Sequence, residues 1–126
     1  MKLFIGGFAQ GKLHYVLQRE KLRDPENDVW DACLPERQGE VIAVNHLHRY
    51  IREMLAQGQD PEEPIRRLVE RCPECILICD EIGNGIVPMD AGEREYRERT
   101  GRILEWLASE ADEVVRVVCG IGQKLS

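Results

Sequence analysis

Short, continuous apolar runs alternate along this chain with longer stretches in which apolar residues recur every three or four positions. Lys2-Leu3-Phe4-Ile5 reads as a short buried strand, and Gly6 to Gly11 as a glycine-rich turn. Residues 12–23 carry Leu13, Val16, Leu17 and Leu22 on one side, the spacing of a helix. Asp24-Pro25-Glu26-Asn27-Asp28 is a turn sequence. Val29 to Cys33 reads as a short strand, Leu34 to Gly39 breaks the pattern, and Val41-Ile42-Ala43-Val44 is strand-like by its β-branched content. A helix is expected over 46–57, stopped at Gly58. Asp60 and Pro61 are suited to start the next helix, which runs to about Arg71 with Ile65, Leu68 and Val69 inward. Ile76-Leu77-Ile78-Cys79 is a further apolar run, closed by Asp80-Glu81. A Gly/Pro-containing loop follows over 82–92. Residues 93–110 form the longest helical pattern, with Tyr96, Ile103, Leu104 and Leu107 inward. Within it, Glu93 to Arg99 reads as a solvated face, and Glu95 and Arg99 are spaced for an i, i+4 pair. Val114 to Cys119 is a last strand, ended by Gly120 and Gly122.

Strands that are short, apolar throughout and separated by helices are the pattern of a mostly parallel sheet buried on both faces. The expected fold is therefore α/β, with three layers. A length of 126 residues suits a single domain over 1–126. With 43% hydrophobic and 32% charged residues the chain has the composition of a globular protein. Its apolar runs are far shorter than the roughly 20 residues a membrane span needs. The N-terminal apolar stretch is too short for a secretory signal, and a cytoplasmic location is expected.

The net charge of −6 argues against broad nucleic-acid binding, which calls for a basic footprint. It leaves room for a phosphate site built from one loop. The five cysteines are an odd number, so they are read as free thiols. Cys72-Pro73-Glu74-Cys75 is a lone CxxC without the second ligand pair that a structural zinc site requires. No resident metal site is assigned to the cysteines or histidines.

The strongest chemical signal is Gly6-Gly7-Phe8-Ala9-Gln10-Gly11-Lys12-Leu13. It is the G-x-x-x-x-G-K phosphate-loop pattern, set between a strand and a helix, with Leu13 where the pattern asks for Ser or Thr. Glycines let the backbone turn several N–H groups toward phosphate oxygens. The helix N-terminus adds its dipole, and Lys12 neutralises phosphate charge. Leu13 has no hydroxyl for Mg²⁺, which weakens a metal site more than phosphate binding itself. The same residues would otherwise be a glycine-rich turn with a solvated lysine. Asp80 and Glu81 end an apolar strand, where ligands gather in open α/β sheets. They are the candidate Mg²⁺-holding or nucleophile-orienting carboxylates. His46 and His48 do not share a helix face, and packing at a helix start is their expected role. His14 is expected to face solvent or the sheet.

The C-terminal half carries further motifs: Asp80-Glu81-Ile82-Gly83-Asn84-Gly85-Ile86-Val87-Pro88, then Tyr96 to Arg102, Ala111-Asp112-Glu113-Val114, and Cys119-Gly120-Ile121-Gly122-Gln123-Lys124. Together with the opening loop they resemble the adenosylcobinamide kinase / adenosylcobinamide-phosphate guanylyltransferase family. The resemblance covers residues 1–20 and about 65–126 well, and the middle poorly. It implies a RecA-like P-loop NTPase sheet and a place in cobalamin (vitamin B12) biosynthesis. It also implies GTP or ATP with Mg²⁺ as cofactor, adenosylcobinamide as acceptor, and a homo-oligomer such as a trimer. The chain departs from the family in a shortened middle, where the guanylylated histidine would lie. It also has Asn45 where an acidic residue is expected, and Leu13. His46 and His48 follow a later strand and do not inherit the guanylylated role. Two readings follow. One is a reduced cobinamide kinase in which Lys12 and the Gly7–Lys12 amides hold phosphates, while Asp80 or Glu81 serves the metal or the acceptor hydroxyl. The other is a non-catalytic binding or partner subunit that keeps the fold.

Overall fold

The computed structural model describes residues 1–22, 28–35, 43–82 and 90–126. The expected turn at 24–27, the break at 36–39, residues 41–42 of the second apolar run and the Gly83–Pro88 part of the motif lie outside the described residues. The elements in chain order are β1 (Lys2–Gly6), α1 (Lys12–Arg19), β2 (Val29–Asp31), β3 (Ala43–Asn45), α2 (Leu47–Ala56), α3 (Glu62–Arg71), β4 (Ile76–Asp80), α4 (Ala91–Glu110), β5 (Glu113–Val118) and β6 (Ile121–Lys124). One sheet runs β2-β3-β4-β1-β5-β6. Every described pairing is parallel except β5 with β6.

Alternation along the central strands decides which face each side chain covers. Val44, Leu77, Leu3 and Val114 fall in one row across the sheet. They are buried with Leu47 and Ile51 of α2, Ile65 and Leu68 of α3, and Ile103 and Leu107 of α4. The opposite face buries Phe4, Ile76, Ile78, Val115 and Val117 with Val16 of α1. Helices thus cover both faces, giving the three-layer, mostly parallel α/β fold that the apolar runs predict. Fully burying one such Leu or Ile stabilises the fold by about 1.5–3 kcal/mol relative to leaving it exposed.

The helix ends follow local chemistry. At the end of α2, Gly58 takes φ 71°, and Gln59 N–H donates to Met54 O at 2.9 Å. That is the left-handed stop that glycine supplies without strain. α3 starts at Glu62, one residue later than the sequence suggests, with Pro61 and not Asp60 at the capping position, although the Asp60 carboxylate still accepts the Glu62 N–H at 3.1 Å. α4 starts at Ala91, before the expected 93, because Asp90 caps it by accepting the Glu93 N–H at 2.7 Å. Glu95 and Arg99 do pair, at 3.8 Å, but Arg99 lies closer to Asp60, at 2.6 Å, and so ties α4 to the start of α3.

The C-terminus corrects the sequence reading. Gly122 does not end a strand; it lies inside β6, which pairs antiparallel with β5 through a two-residue turn at Cys119 and Gly120. Both turn residues have positive φ, 51° and 74°, as a tight hairpin turn requires. The strand escapes detection because it is an edge strand with little buried surface.

The chain's course fixes where a ligand can sit. From β1 it passes along α1 toward β2 over one face of the sheet. From β4, the neighbour of β1, it passes along α4 to β5 over the other face. Adjacent parallel strands whose connections leave to opposite faces open a crevice beyond their carboxyl ends. Gly6 and Asp80, paired in register, stand at that crevice.

Candidate functional site

The loop from Gly7 to Gly11 leaves β1 at the crevice. Gly6 must be glycine, since an added Cβ would collide with the Val117 carbonyl oxygen. Ala9 and Gly11 both take left-handed conformations, φ 56° and 80°, which turn the backbone back into α1. No side chain caps α1 and no acidic residue lies in its first turn. Its N-terminal dipole therefore has no anionic side chain there to answer it, a setting that favours a phosphate or carboxylate. The loop is braced from the C-terminal hairpin. Cys119 N–H donates to Gln10 Oε1 and Gly120 N–H to Gln10 O, each at 2.8 Å.

Lys12 is only 8% exposed. Its ammonium donates to the Gly7 carbonyl oxygen at 2.7 Å and pairs with Asp80 Oδ1 at 2.7 Å. The lysine and the strand-end carboxylate singled out in the sequence thus meet. Glu81 does not join them. Its carboxylate pairs with Arg116 of β5 at 3.0 Å, while its N–H donates to Gly6 O. Leu13 is half-buried; it packs on the Phe4–Val16 cluster and also lines the crevice. Phe8 stands 78% exposed at the loop tip, and His14 is exposed.

Two histidines that sequence reasoning leaves to packing lie in the same cavity of about 250 Å³, with the loop, Asn45 and Asp80. His48 grips Asp80 at two points. The Asp80 N–H donates to His48 Nδ1 at 3.1 Å, and Nε2 lies 3.3 Å from Asp80 Oδ2. Accepting at Nδ1 puts the ring proton of the neutral imidazole on Nε2, facing the carboxylate. Burial pushes the His48 pKa down, against the opposing pull of Asp80. His46 precedes α2 in a left-handed conformation, φ 55°. Its Nδ1 lies 2.5 Å from Asp31 Oδ1, and Asn45 Nδ2 donates to the same oxygen at 3.2 Å. Asp31 and Asn45 are register partners at the ends of β2 and β3. The signal that could have found this group is position: Asp31, Asn45 and Asp80 each end a parallel strand, His46 directly follows one, and His48 lies in the first turn of the helix that comes next.

The CxxC cysteines sit elsewhere. Cys72, Cys75 and Cys79 are buried, and burial pushes the Cys75 thiol up to about 11 and Cys79 up as well. Neither is a thiolate at neutral pH, so neither is poised as a nucleophile.

The donors bear on Mg²⁺ as well. Among the described residues no group of three His, Cys, Asp or Glu side chains could hold a metal ion. Mg²⁺ commonly comes with a nucleotide's phosphates, keeps several waters and takes one or two protein carboxylates. Asp80 alone fits that arrangement. The donor set suits an ion carried in by phosphate and does not suit one held by protein ligands only. No helix of the described residues is long and apolar enough to cross a membrane.

Comparison with known proteins identifies relatives of this chain. Two curated relatives are each a "Bifunctional adenosylcobalamin biosynthesis protein CobU". The one from Salmonella typhimurium strain LT2 is 40% identical over 68 residues, 51% of this chain and 38% of the relative. The one from Escherichia coli strain K12 is 40% identical over 74 residues, 56% of this chain and 41% of the relative. The matched stretches thus span only about two-fifths of each relative's own length. Residues 18–125 match the family described as "Cobinamide kinase / cobinamide phosphate guanyltransferase". That match starts after the glycine-rich loop, so the loop's reading rests on its own sequence and geometry. With most of its length matched, from the end of α1 through β6, the chain belongs to the cobinamide kinase / cobinamide phosphate guanyltransferase family.

Proposed function

We propose that this chain is a nucleoside-triphosphate-dependent kinase of cobalamin biosynthesis, transferring the terminal phosphoryl group of GTP or ATP to the hydroxyl of adenosylcobinamide. The observation that carries this reading is the Lys12–Asp80 pair. A G-x-x-x-x-G-K lysine is held 2.7 Å from a carboxylate at the end of the adjacent strand. A scaffold has no physical need to bury a lysine at the mouth of a glycine-rich loop. A phosphate site does need a cation held beside free helix-terminal amides.

In the mechanism, the amides of Gly7 to Lys12 cradle the phosphates and the dipole of α1 adds to their attraction. Phosphate oxygens replace Asp80 and the Gly7 carbonyl as partners of Lys12. Asp80, still gripped by His48, is then the residue to hold Mg²⁺, which would neutralise phosphate charge as transfer proceeds. Leu13 supplies no hydroxyl, so that metal site is weaker than in a loop with Ser or Thr. Guanylyl transfer is left out of the proposal. By the family resemblance, the histidine it needs lies in the middle segment that is shortened here. The chain's assembly into a homo-oligomer such as a trimer belongs to the same proposal.

Calorimetric titration of Mg·GTP and Mg·ATP, with Lys12→Ala as control, tests the site. Hydrogen bonds to charged groups contribute about 1.5–3 kcal/mol, so the substitution should weaken binding by about ten- to a hundredfold. Phosphoryl transfer to adenosylcobinamide is then measured directly. A folded protein that binds neither nucleotide would overturn the kinase reading in favour of a partner subunit without nucleotide chemistry.

A further inference from the structure

The kinase reading leaves one role open: nothing described so far takes the proton of the attacking hydroxyl. Lys12 is a cation. Asp80 is engaged on both oxygens, and on nucleotide binding it is the carboxylate left for the metal. His48 has both ring nitrogens turned to Asp80. His46 differs. Its Nδ1 is held by Asp31 at 2.5 Å, and no described group bonds its Nε2. It lines the same cavity as Lys12 and the phosphate loop.

We propose that Asp31 and His46 form a catalytic dyad, with His46 Nε2 the general base toward the acceptor hydroxyl. This inference rests on the kinase reading above. A carboxylate on Nδ1 keeps the neutral ring's proton at that nitrogen, leaving Nε2 as the acceptor, and stabilises the imidazolium that forms. Asn45 Nδ2 donates to the same Asp31 oxygen at 3.2 Å; it also lies 3.3 Å from His46 Nδ1, but the much closer Asp31 Oδ1, at 2.5 Å, is the partner that makes this nitrogen the donor. The left-handed backbone at His46 costs on the order of 1 kcal/mol for a residue other than glycine. Conformations of that kind persist where surrounding structure holds them, and here Asp31, Asn45 and the start of α2 do so.

The acceptor oxygen bonds to the γ-phosphorus as the bond from that phosphorus to the β–γ bridging oxygen breaks. The bridging electron pair leaves with the nucleoside diphosphate. The hydroxyl proton passes to His46 Nε2 and is later lost to water. The acceptor class is an aliphatic alcohol, whose proton must be removed for a stable phosphate ester to form.

The test uses the full chain with His46→Asn and Asp31→Asn. Asparagine tolerates the left-handed backbone, and Asp31 is exposed, so both variants should fold. Each is expected to lower kcat for transfer to adenosylcobinamide by about a hundredfold, within the range for a lost general base. Nucleotide Kd should stay within about threefold of the parent. The double variant should be no slower than the worse single one, since the pair acts as a unit. Apart from activity, ¹⁵N NMR of the neutral ring should show the His46 proton on Nδ1 in the parent and lose that preference in Asp31→Asn. A proton on Nε2, or a kcat for His46→Asn within twofold of the parent, overturns the dyad while leaving the kinase reading in place. An inactive parent overturns both.

Discussion

At the scale of single residues, close approaches at two glycines show how tightly the loop and the hairpin are fitted. A Cβ on Gly122 would collide with the ring and hydroxyl of Tyr15, a side chain of α1. A Cβ on Gly6 would collide with the main-chain oxygen of Val117. The first obstacle is a side chain that can be trimmed; the second is backbone. Gly122→Ala should destabilise the protein by about 1–3 kcal/mol, the usual cost of overpacking. Adding Tyr15→Ala should recover part of that loss, so the double-mutant cycle shows a favourable coupling in urea denaturation. Gly6→Ala should show no coupling to Tyr15→Ala. Equal coupling for both glycines would mean that Tyr15 does not rest on the hairpin. At this scale the sequence was legible where chemistry is local. The G-x-x-x-x-G-K run announced Lys12 and its loop, and a carboxylate closing an apolar run announced Asp80. The histidines were not legible, because the roles of His46 and His48 depend on Asp31 and Asp80, 15 and 32 residues away in sequence.

At the scale of elements, the apolar runs revealed β1, β3 and β4 because strands buried on both faces need apolar residues throughout. The amphipathic stretches revealed the helices for the complementary reason. β6 was hidden because an edge strand buries little and so places few demands on its sequence. What fastens α1 to the strand beside that edge is electrostatic in part. Arg19 donates to both oxygens of Glu113 on β5, at 2.6 and 2.7 Å. That hydrogen bond, helped by the nearby charges of Arg19, Lys124 and Lys2, holds the Glu113 carboxyl below the ordinary carboxylate range. The unfolded chain keeps the ordinary value, so between the two values it binds more protons than the folded chain does. Stability therefore rises with pH across that window. The contribution is complete above the unfolded value and is lost as pH falls through the folded one. Glu113→Gln mimics the protonated side chain. It should lower the melting temperature at neutral pH by the modest amount expected of a surface pair, and the gap should close in acid. A gap that persists unchanged in acid would mean that Glu113 acts through packing rather than charge.

At the scale of the whole molecule, Leu13 belongs to two systems at once. It packs on the Phe4–Val16 cluster under α1, and it lines the cavity that holds Lys12 and Asp80. An apolar residue there strengthens the thinner of the two cores, whose described helical cover is α1 alone. On the kinase reading proposed above, the same residue withholds a hydroxyl ligand from the crevice. Leu13→Ser should therefore lower stability while raising affinity for Mg²⁺. Stability should fall by about 1–3 kcal/mol, somewhat less than truncating a fully buried leucine because Leu13 is only half-buried. The Mg²⁺ concentration that half-saturates nucleotide binding should also fall, because a hydroxyl joins the carboxylate of Asp80. Urea denaturation reads the first and calorimetry at graded Mg²⁺ reads the second, so neither result can stand in for the other. Lost stability with an unchanged Mg²⁺ requirement would mean that residue 13 does not face the metal, and that this loop holds nucleotide through Lys12 and backbone amides alone. Both changes together would mean that the chain has exchanged metal affinity for packing within a single turn of α1.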